Sequence, residues 1–555
     1  MDSRMETWKT EKMDTEHKMK TDHSPARVDV CSSWNSSGPV AWGLLLMFAL
    51  VLQSARAFPE EIVVPESISS EVDEIELLYS GENPVPAVSL KGKVDSPLLP
   101  ASYRPSEPTL ELLPGFSQGE RFGNCETRTE RVGHTTTIHL ELPIPCGLPL
   151  QKQGQLLDAL SYTTLHLRGT ATGRATFSLA DHETDRREDN VPVITVTGPF
   201  DLHVSLREAG RRLDLRRLSA LVVRADGGDA QLALEECTLI RETDAARSSP
   251  GVGFWVWDYR AAITDPHAMI KACQNAGCSR LLIQIPAISE DETLWASYAT
   301  LFPFAKARHI DAFALDGYPE AIQEPEVLAA KVKRLLALVH WDAIAGVQVD
   351  IEPYLVPGFF ADESGPRRYL ETIDHLKEAI AGRTRLSVVM PFWFTSPTIQ
   401  GRPIAYSVID RVDEVAIMSY RTEIDEIQAI ADDTLRYGTL AQVPVWLAVE
   451  TTPLPVERHV VLRREGRPEF ADAYVDDDRH RLVMEPPPRS VDTPRRLVWF
   501  RVHHRVTVRP ERVTFAGRSR TEVRAMVKTL AQETRNRSLA GVLIHDLKGF
   551  LALQE

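Results

Sequence analysis

The chain has no surplus of positive charge: 63 Lys and Arg stand against 78 Asp and Glu, a formal charge of -15 over 555 residues. Recognition of a phosphate backbone needs clustered Lys and Arg, so this balance argues against a nucleic-acid partner and suits a neutral or sugar-like ligand. Cysteine is scarce too, with six in all, Cys31, Cys125, Cys146, Cys237, Cys273 and Cys278. Loss of an N-terminal segment takes Cys31 with it and leaves an odd number, which does not make a disulfide framework. Cys125 and Cys146 flank a strand-like run and are the pair export would let close, whereas Cys273 and Cys278 read as packing around a helix end. No Cys/His spacing reads as structural zinc and no Asp/His constellation as a catalytic metal centre, so neither metal nor cofactor is expected. A glycine-rich phosphate fingerprint is missing as well, which removes the main support for a doubly wound open sheet.

With 43% hydrophobic and 25% charged residues the chain is long enough for two or three globular domains. Residues 1–57 read as a targeting segment. The apolar run from Val40 to Leu52 is followed by Ala55-x-Ala57, the pattern of a secretory signal and its cleavage site. Export to a secreted, periplasmic or cell-envelope location is expected, with an anchor through 40–52 as the lesser alternative because the run barely spans a bilayer. The segment before it mixes acids with bases where a positive stretch belongs, which leaves the translation start open.

Residues 58–108, rich in Pro, Glu and Ser, read as a solvated linker or low-order arm. From 109 to 245 short alternating runs such as Thr136 to Leu142, Ala175 to Leu179 and Ala220 to Val223 predict an all-β sandwich. From about 250 to 555 the rhythm is strand, helix, strand, with strands expected at Gly253 to Trp257, Arg280 to Ile285, Ala312 to Leu315, Gly346 to Ile351, Leu386 to Pro391, Glu414 to Tyr420, Val445 to Glu450 and Gly541 to His545. Eight such units define an α/β (β/α)8 TIM barrel. The seventh connection carries an insertion, 455–515, that reads either as a small β lid or as a surface loop.

The informative stretch is Gly346-Val-Gln-Val-Asp-Ile-Glu-Pro-Tyr354, in which Gln348, Asp350 and Glu352 alternate with Val347, Val349 and Ile351. Strands of a parallel sheet are normally apolar on both faces, so a polar file ending in two carboxylates at the catalytic end of a barrel points to chemistry. Other strand ends add Trp257 and Asp258, Asp316, Trp393, Tyr420 and Arg421, Glu450, and His545 with Asp546. Aromatic faces stack on sugar rings while carboxylates bind hydroxyls and move protons, so the cluster describes a carbohydrate site. Within it Asp316 also reads as a turn residue, Trp393 as core, and Arg421 as a surface ion pair; alternation does not decide whether His545 or Asp546 faces inward.

Strand four resembles that of family 18 glycoside hydrolases, whose motif is Asp-x-x-Asp-x-Asp-x-Glu, and Met418-Ser419-Tyr420-Arg421 is similar to their Met-x-Tyr-Asp. The resemblance implies Glu352 as general acid, Asp350 orienting a substrate acetamido group, Tyr420 helping to hold it, and the substrate carbonyl as internal nucleophile. Ala345 and Gln348 occupy the first two Asp positions, Arg421 the last, and no Trp ends strand eight. Glu352 with Glu450 is similar instead to the acid/base and nucleophile of the large retaining clan on this barrel. Both imply a glycoside hydrolase acting on an oligosaccharide or polysaccharide; a glycan-binding barrel that has lost catalysis is the alternative. The runs Arg216 to Val223 and Leu232 to Ile240 resemble closing strands of jelly-roll carbohydrate-binding modules, which leaves glycan binding and plain packing both open for the sandwich.

Overall fold

The structure is a computed structural model that describes residues 61–63, 72–80, 87–92, 107–113, 126–132, 135–141, 146–150, 155–182, 190–226, 230–241, 250–356, 358–360, 362–476, 481–486 and 497–555. The signal-like run and Cys125 lie outside the described residues, and no helix among those described is long and apolar enough to cross a membrane.

Eight parallel strands close into a barrel: β1 (Gly251–Val256), β2 (Arg280–Gln284), β3 (Asp311–Asp316), β4 (Gly346–Val349), β5 (Arg385–Pro391), β6 (Glu414–Met418), β7 (Val445–Glu450) and β8 (Leu539–His545). Helices at Pro266–Ala276, Glu292–Lys306, Pro325–Leu338, Ser364–Ile380, Ile404–Ile409, Ile424–Ala441 and Arg520–Glu533 connect them, and Leu547–Ala552 follows β8. Capping accounts for several helix starts. Asp265 accepts from Ala268 N–H ahead of Pro266, and Ser519 forms a reciprocal pair with Glu522. Cys273 and Cys278, expected only to pack at a helix end, form a disulfide around the left-handed Gly277 that closes the first of these helices.

Pairing register divides every barrel strand into two files. One file, with Phe254, Val256, Leu281, Ile283, Ala314, Val347, Val349, Val388 and Ile417, packs under the helices. The other, with Trp255, Leu282, Phe313, Leu315, Val389, Ala416, Trp446, Ala448 and Leu543, fills the barrel as a separate cluster. At the N-terminal end of the interior the Arg280 guanidinium lies 4.2 Å from the Phe313 ring centroid and 3.9 Å from that of Trp446. It donates to Glu414 Oε1 at 2.6 Å. An ion pair seated between two aromatic faces closes that end of the barrel.

The sandwich is an antiparallel arrangement of eight strands built on two long ones, Thr164–Asp181 and Val191–Ser205. Each long strand covers two shorter expected ones, Thr163 to Leu167 with Ala175 to Leu179 in the first and Val193 to Val196 with Leu202 to Leu206 in the second. Both bend where the register shifts between Ala171 and Ala175 opposite Gly198 at φ 65°. Past the bend the first long strand changes partner from Gln231–Ile240 to Leu218–Ala225, so the sheet forks around one core.

The segment read as a solvated arm contributes strands Glu61–Val63, Val72–Ser80 and Ala87–Gly92. These pair antiparallel in one seven-stranded sheet with Glu457–Arg464, Ala473–Asp476, Arg481–Val483 and Leu497–Val508 of the insertion after β7. Ile62, Ile75 and Leu77 bury against Val460, Leu462, Leu482 and Phe500, which makes a core from two stretches that are each too polar to build one alone.

Candidate active site

The inward file sets the site. Continued past the apolar layers, it presents Trp257 after β1, Asp350 after β4, Tyr420 after β6, Glu450 on β7 and His545 on β8, because each shares the parity of Trp255, Gln348, Met418, Ala448 and Leu543. All stand at the C-terminal ends of their strands. Below them Gln348 is fully buried, accepting from Trp255 Nε1 at 2.5 Å and donating to Ser387 Oγ at 2.9 Å, so the first polar position of the file is a structural brace.

Glu352 leaves the alternation. Strand β4 ends at Val349, and Glu352 adopts φ 51°, ψ 53°, the left-handed region, at a cost of about 1 to 3 kcal/mol for a residue with a Cβ. The turn brings its carboxylate to the Tyr354 hydroxyl, which donates to Oε1 at 2.6 Å. Gly317, at φ 157°, permits the turn, because a Cβ there would come within 2.0 Å of the Asp350 carbonyl oxygen.

Tyr420 occupies the electrostatic centre. Burial first, then the negative charges of Glu450, Asp350 and Glu352, hold its phenol well above the ordinary value, so it stays protonated and able to donate. Tyr354 is raised in the same direction by burial and by Glu352. Aromatic rings flank the carboxylates on two sides. His545 packs 6.0 Å from Trp257, 5.6 Å from Trp255 and 6.2 Å from Tyr420, while Trp393 lies 5.1 Å from Tyr354 and 5.9 Å from Phe360.

Glu450 reaches the same mouth with its hydrogen-bonding capacity largely committed. Its Oε1 accepts from Thr451 N–H at 2.8 Å, Thr452 N–H at 2.6 Å and the Thr452 hydroxyl at 2.7 Å, and its Oε2 lies 2.7 Å from His545 Nδ1. A carboxylate so held sits against the His545 ring and fixes its place in the mouth.

Three expected site residues are turned elsewhere. Asp316 has the outward parity, and its carboxylate is buried under the helix Pro325–Leu338 in an ion pair with Lys331. Asp258 is exposed and caps the helix Tyr259–Thr264 by accepting from Ala261 N–H. Arg421 donates to the Tyr420 carbonyl, lies 5.3 Å from the Phe392 ring centroid and faces Glu426 at 3.8 Å. Among the described residues no cation pairs with Glu352. Tyr354 and Phe360 were not singled out from sequence, and Gln348, read there with the two carboxylates, is a brace instead; the signal for Tyr354 is its place two residues after the acid.

The insertion returns along this end of the barrel. Thr514 bridges Glu450 in parallel, Phe515 N–H donates to the Glu450 carbonyl at 2.8 Å, and Thr422 bonds the carbonyls of Glu511 and Arg512. A cavity of about 360 Å³ in the added sheet, lined by Asp472, Met484, Arg501, Val502 and Arg505, contains none of the mouth residues.

No protein-family model matches the chain, and no curated protein does. Among solved structures it is similar to a chitinase from Chromobacterium violaceum ATCC 12472, at 12% identity and TM-score 0.29, over 55% of this chain and 99% of that one. The spore cortex-lytic enzyme SleL of Bacillus cereus shows 9% identity and TM-score 0.30, over 57% and 76%. A two-module fragment, CBM22-1 with GH10, of the Clostridium thermocellum endo-1,4-β-D-xylanase 10B shows 12% and 0.25, over 62% and 81%. Likeness at this level leaves the site to be judged on its own residues.

Proposed function

We propose that the protein is an exported glycoside hydrolase that cleaves an oligosaccharide or polysaccharide, with Glu352 as general acid and Asp350 and Tyr420 handling a polar group of the sugar beside the cleaved bond. The observation that carries this reading is the convergence of three carboxylates on one protonated phenol at the catalytic end of a closed barrel. Glu352 gives its proton to the glycosidic oxygen as that bond breaks, and Tyr354 holds the other carboxyl oxygen in place. Positive charge at the anomeric carbon is met by the carbonyl oxygen of a substrate acetamido group, whose N–H Asp350 accepts and which Tyr420 steadies. Water then opens the cyclic intermediate and returns a proton to Glu352. Trp257 and Trp393 supply faces for sugar rings.

A two-glutamate mechanism with Glu450 as nucleophile is less well supported, because three donors and His545 already hold that carboxylate. The glycan-binding alternative would be favoured by a cation fixed on Glu352, and Arg421 is directed to Glu426 instead. Reducing-end release from amino-sugar and neutral polysaccharides tests all three. Glu352→Gln is expected to lower kcat by about 10²- to 10⁴-fold with folding intact, and Glu450→Gln by much less. Equal loss in both variants favours the two-glutamate scheme. Wild-type protein that binds a glycan and releases no ends from any polymer overturns the enzyme reading.

A further inference from the structure

We propose that the exposed face of the sandwich carries a site for a divalent transition metal of the Zn²⁺ class, formed by His166, Asp201 and His203 and backed by Glu236. The three residues come from the two long strands. His166 and His203 are direct partners in the antiparallel ladder, and Asp201, two residues before His203, shares its face. One ligand atom from each lies within 4.8 Å of the others, a span one ion bridges with small side-chain movement.

The hydrogen bonding selects the donor atoms. Glu236, on the neighbouring strand Gln231–Ile240, lies 2.8 Å from His166 Nδ1. A carboxylate only accepts, so Nδ1 donates to Glu236 and Nε2 is the nitrogen left to meet a ligand on the Asp201 side. Nε2 lies 2.7 Å from Asp201 Oδ1, also an acceptor, so the ring donates there when no metal is bound, and an ion would take the place of that proton and be held by both atoms. The carboxylate, imidazole and metal sequence is the usual way a protein fixes the tautomer of a ligating histidine. The His203 ring stacks on that of His166 with centroids 4.3 Å apart and planes within 1°, which sets a second imidazole at the same spot.

The surrounding charges fit. Arg168, the ladder partner of Asp201, is drawn to Glu235 and Glu236 at 3.5 and 3.4 Å, and so balances the backing acid. Two imidazoles with one carboxylate favour zinc, copper or nickel over calcium or magnesium, which take oxygen sets. Asp201 and His203 are exposed, which leaves a coordination position for water or a further ligand.

Calorimetric titration of the chelator-treated full-length protein with Zn²⁺, and with Mg²⁺ as control, tests the site. One Zn²⁺ per chain is expected, with no response to Mg²⁺. His203→Gln and Asp201→Asn should each weaken binding about tenfold or more, and Glu236→Ala by about 10- to 100-fold through loss of the backing bond. Melting of each metal-free variant separates loss of ligand from loss of fold: melting temperatures equal to wild type are expected, because these side chains are partly or fully exposed. Co²⁺ should give visible absorption bands in the wild type that His203→Gln abolishes. Zn²⁺ binding that is absent, or unchanged in His203→Gln and Asp201→Asn, overturns the proposal.

Discussion

Asp316 and Asp350 end adjacent barrel strands and differ in fate by one step of parity. Asp350 continues the file of Gln348 into the mouth; Asp316 continues the file of Ala312 and Ala314 toward the helices and meets Lys331. Sequence alone does not separate them, because in β3 both faces are apolar and either reads as inward. Lys331 was legible, since it falls on the buried stripe with Leu328, Val332 and Leu335, where a lysine requires a partner. Removing it by Lys331→Met strands a buried carboxylate, and urea unfolding should show a loss of about 3 to 5 kcal/mol, largely restored by adding Asp316→Asn. The turn at Glu352 was not legible, for no glycine or asparagine marks it. The buried phenols give a pH dependence. Tyr354, Tyr406 and Tyr420 are raised chiefly by burial, so above the ordinary value near 10 the unfolded chain sheds protons that the folded chain keeps. Their contribution to stability is complete below pH ~10 and falls as pH rises beyond it. Absorbance at alkaline pH should show these tyrosines ionising together with unfolding.

Among the elements, the eight barrel strands and their helices were readable because each follows one period over a stretch of ordinary length. Where an element depends on a distant partner, that signal fails. Val72–Ser80 alternates poorly and sits among prolines and acids, yet Ile75 and Leu77 are fully buried because Val460 and Leu462 cover them. Conversely, Val460, Leu462, Leu482 and Phe500 of the insertion lose part of their cover without those strands. A chain beginning at residue 93 should therefore keep its barrel, while limited proteolysis cuts within 457–508 far faster than in the full chain. Equal cleavage rates would show that the insertion is stable alone.

At the scale of the whole molecule, the sandwich is fastened to the barrel through contacts on the helix Ile424–Ala441. Arg436 of Ile424–Ala441 pairs with buried Asp158 and donates to Ser161 Oγ at 2.8 Å, and Arg216 bridges Asp214 and Asp433, each at 2.8 Å. Gly210 lies so close that a Cβ would come within 2.6 Å of Leu440. Arg436→Ala leaves Asp158 buried without this cation, and calorimetry should show one melting transition split into two, with the sandwich melting first.

The sheet shared by the arm and the insertion also has a bearing on biosynthesis. On a ribosome the strands at 61–92 emerge early, but Glu457–Arg464, the partner of Val72–Ser80, is not made until the sandwich and seven barrel strands have been translated. At about 5 to 20 residues per second that interval lasts from roughly 20 seconds to more than a minute, during which the arm's apolar residues have no cover. The arm's high content of proline and acids thus acquires a use: it keeps an early-made edge soluble and uncommitted until the last fifth of the chain arrives to pair with it.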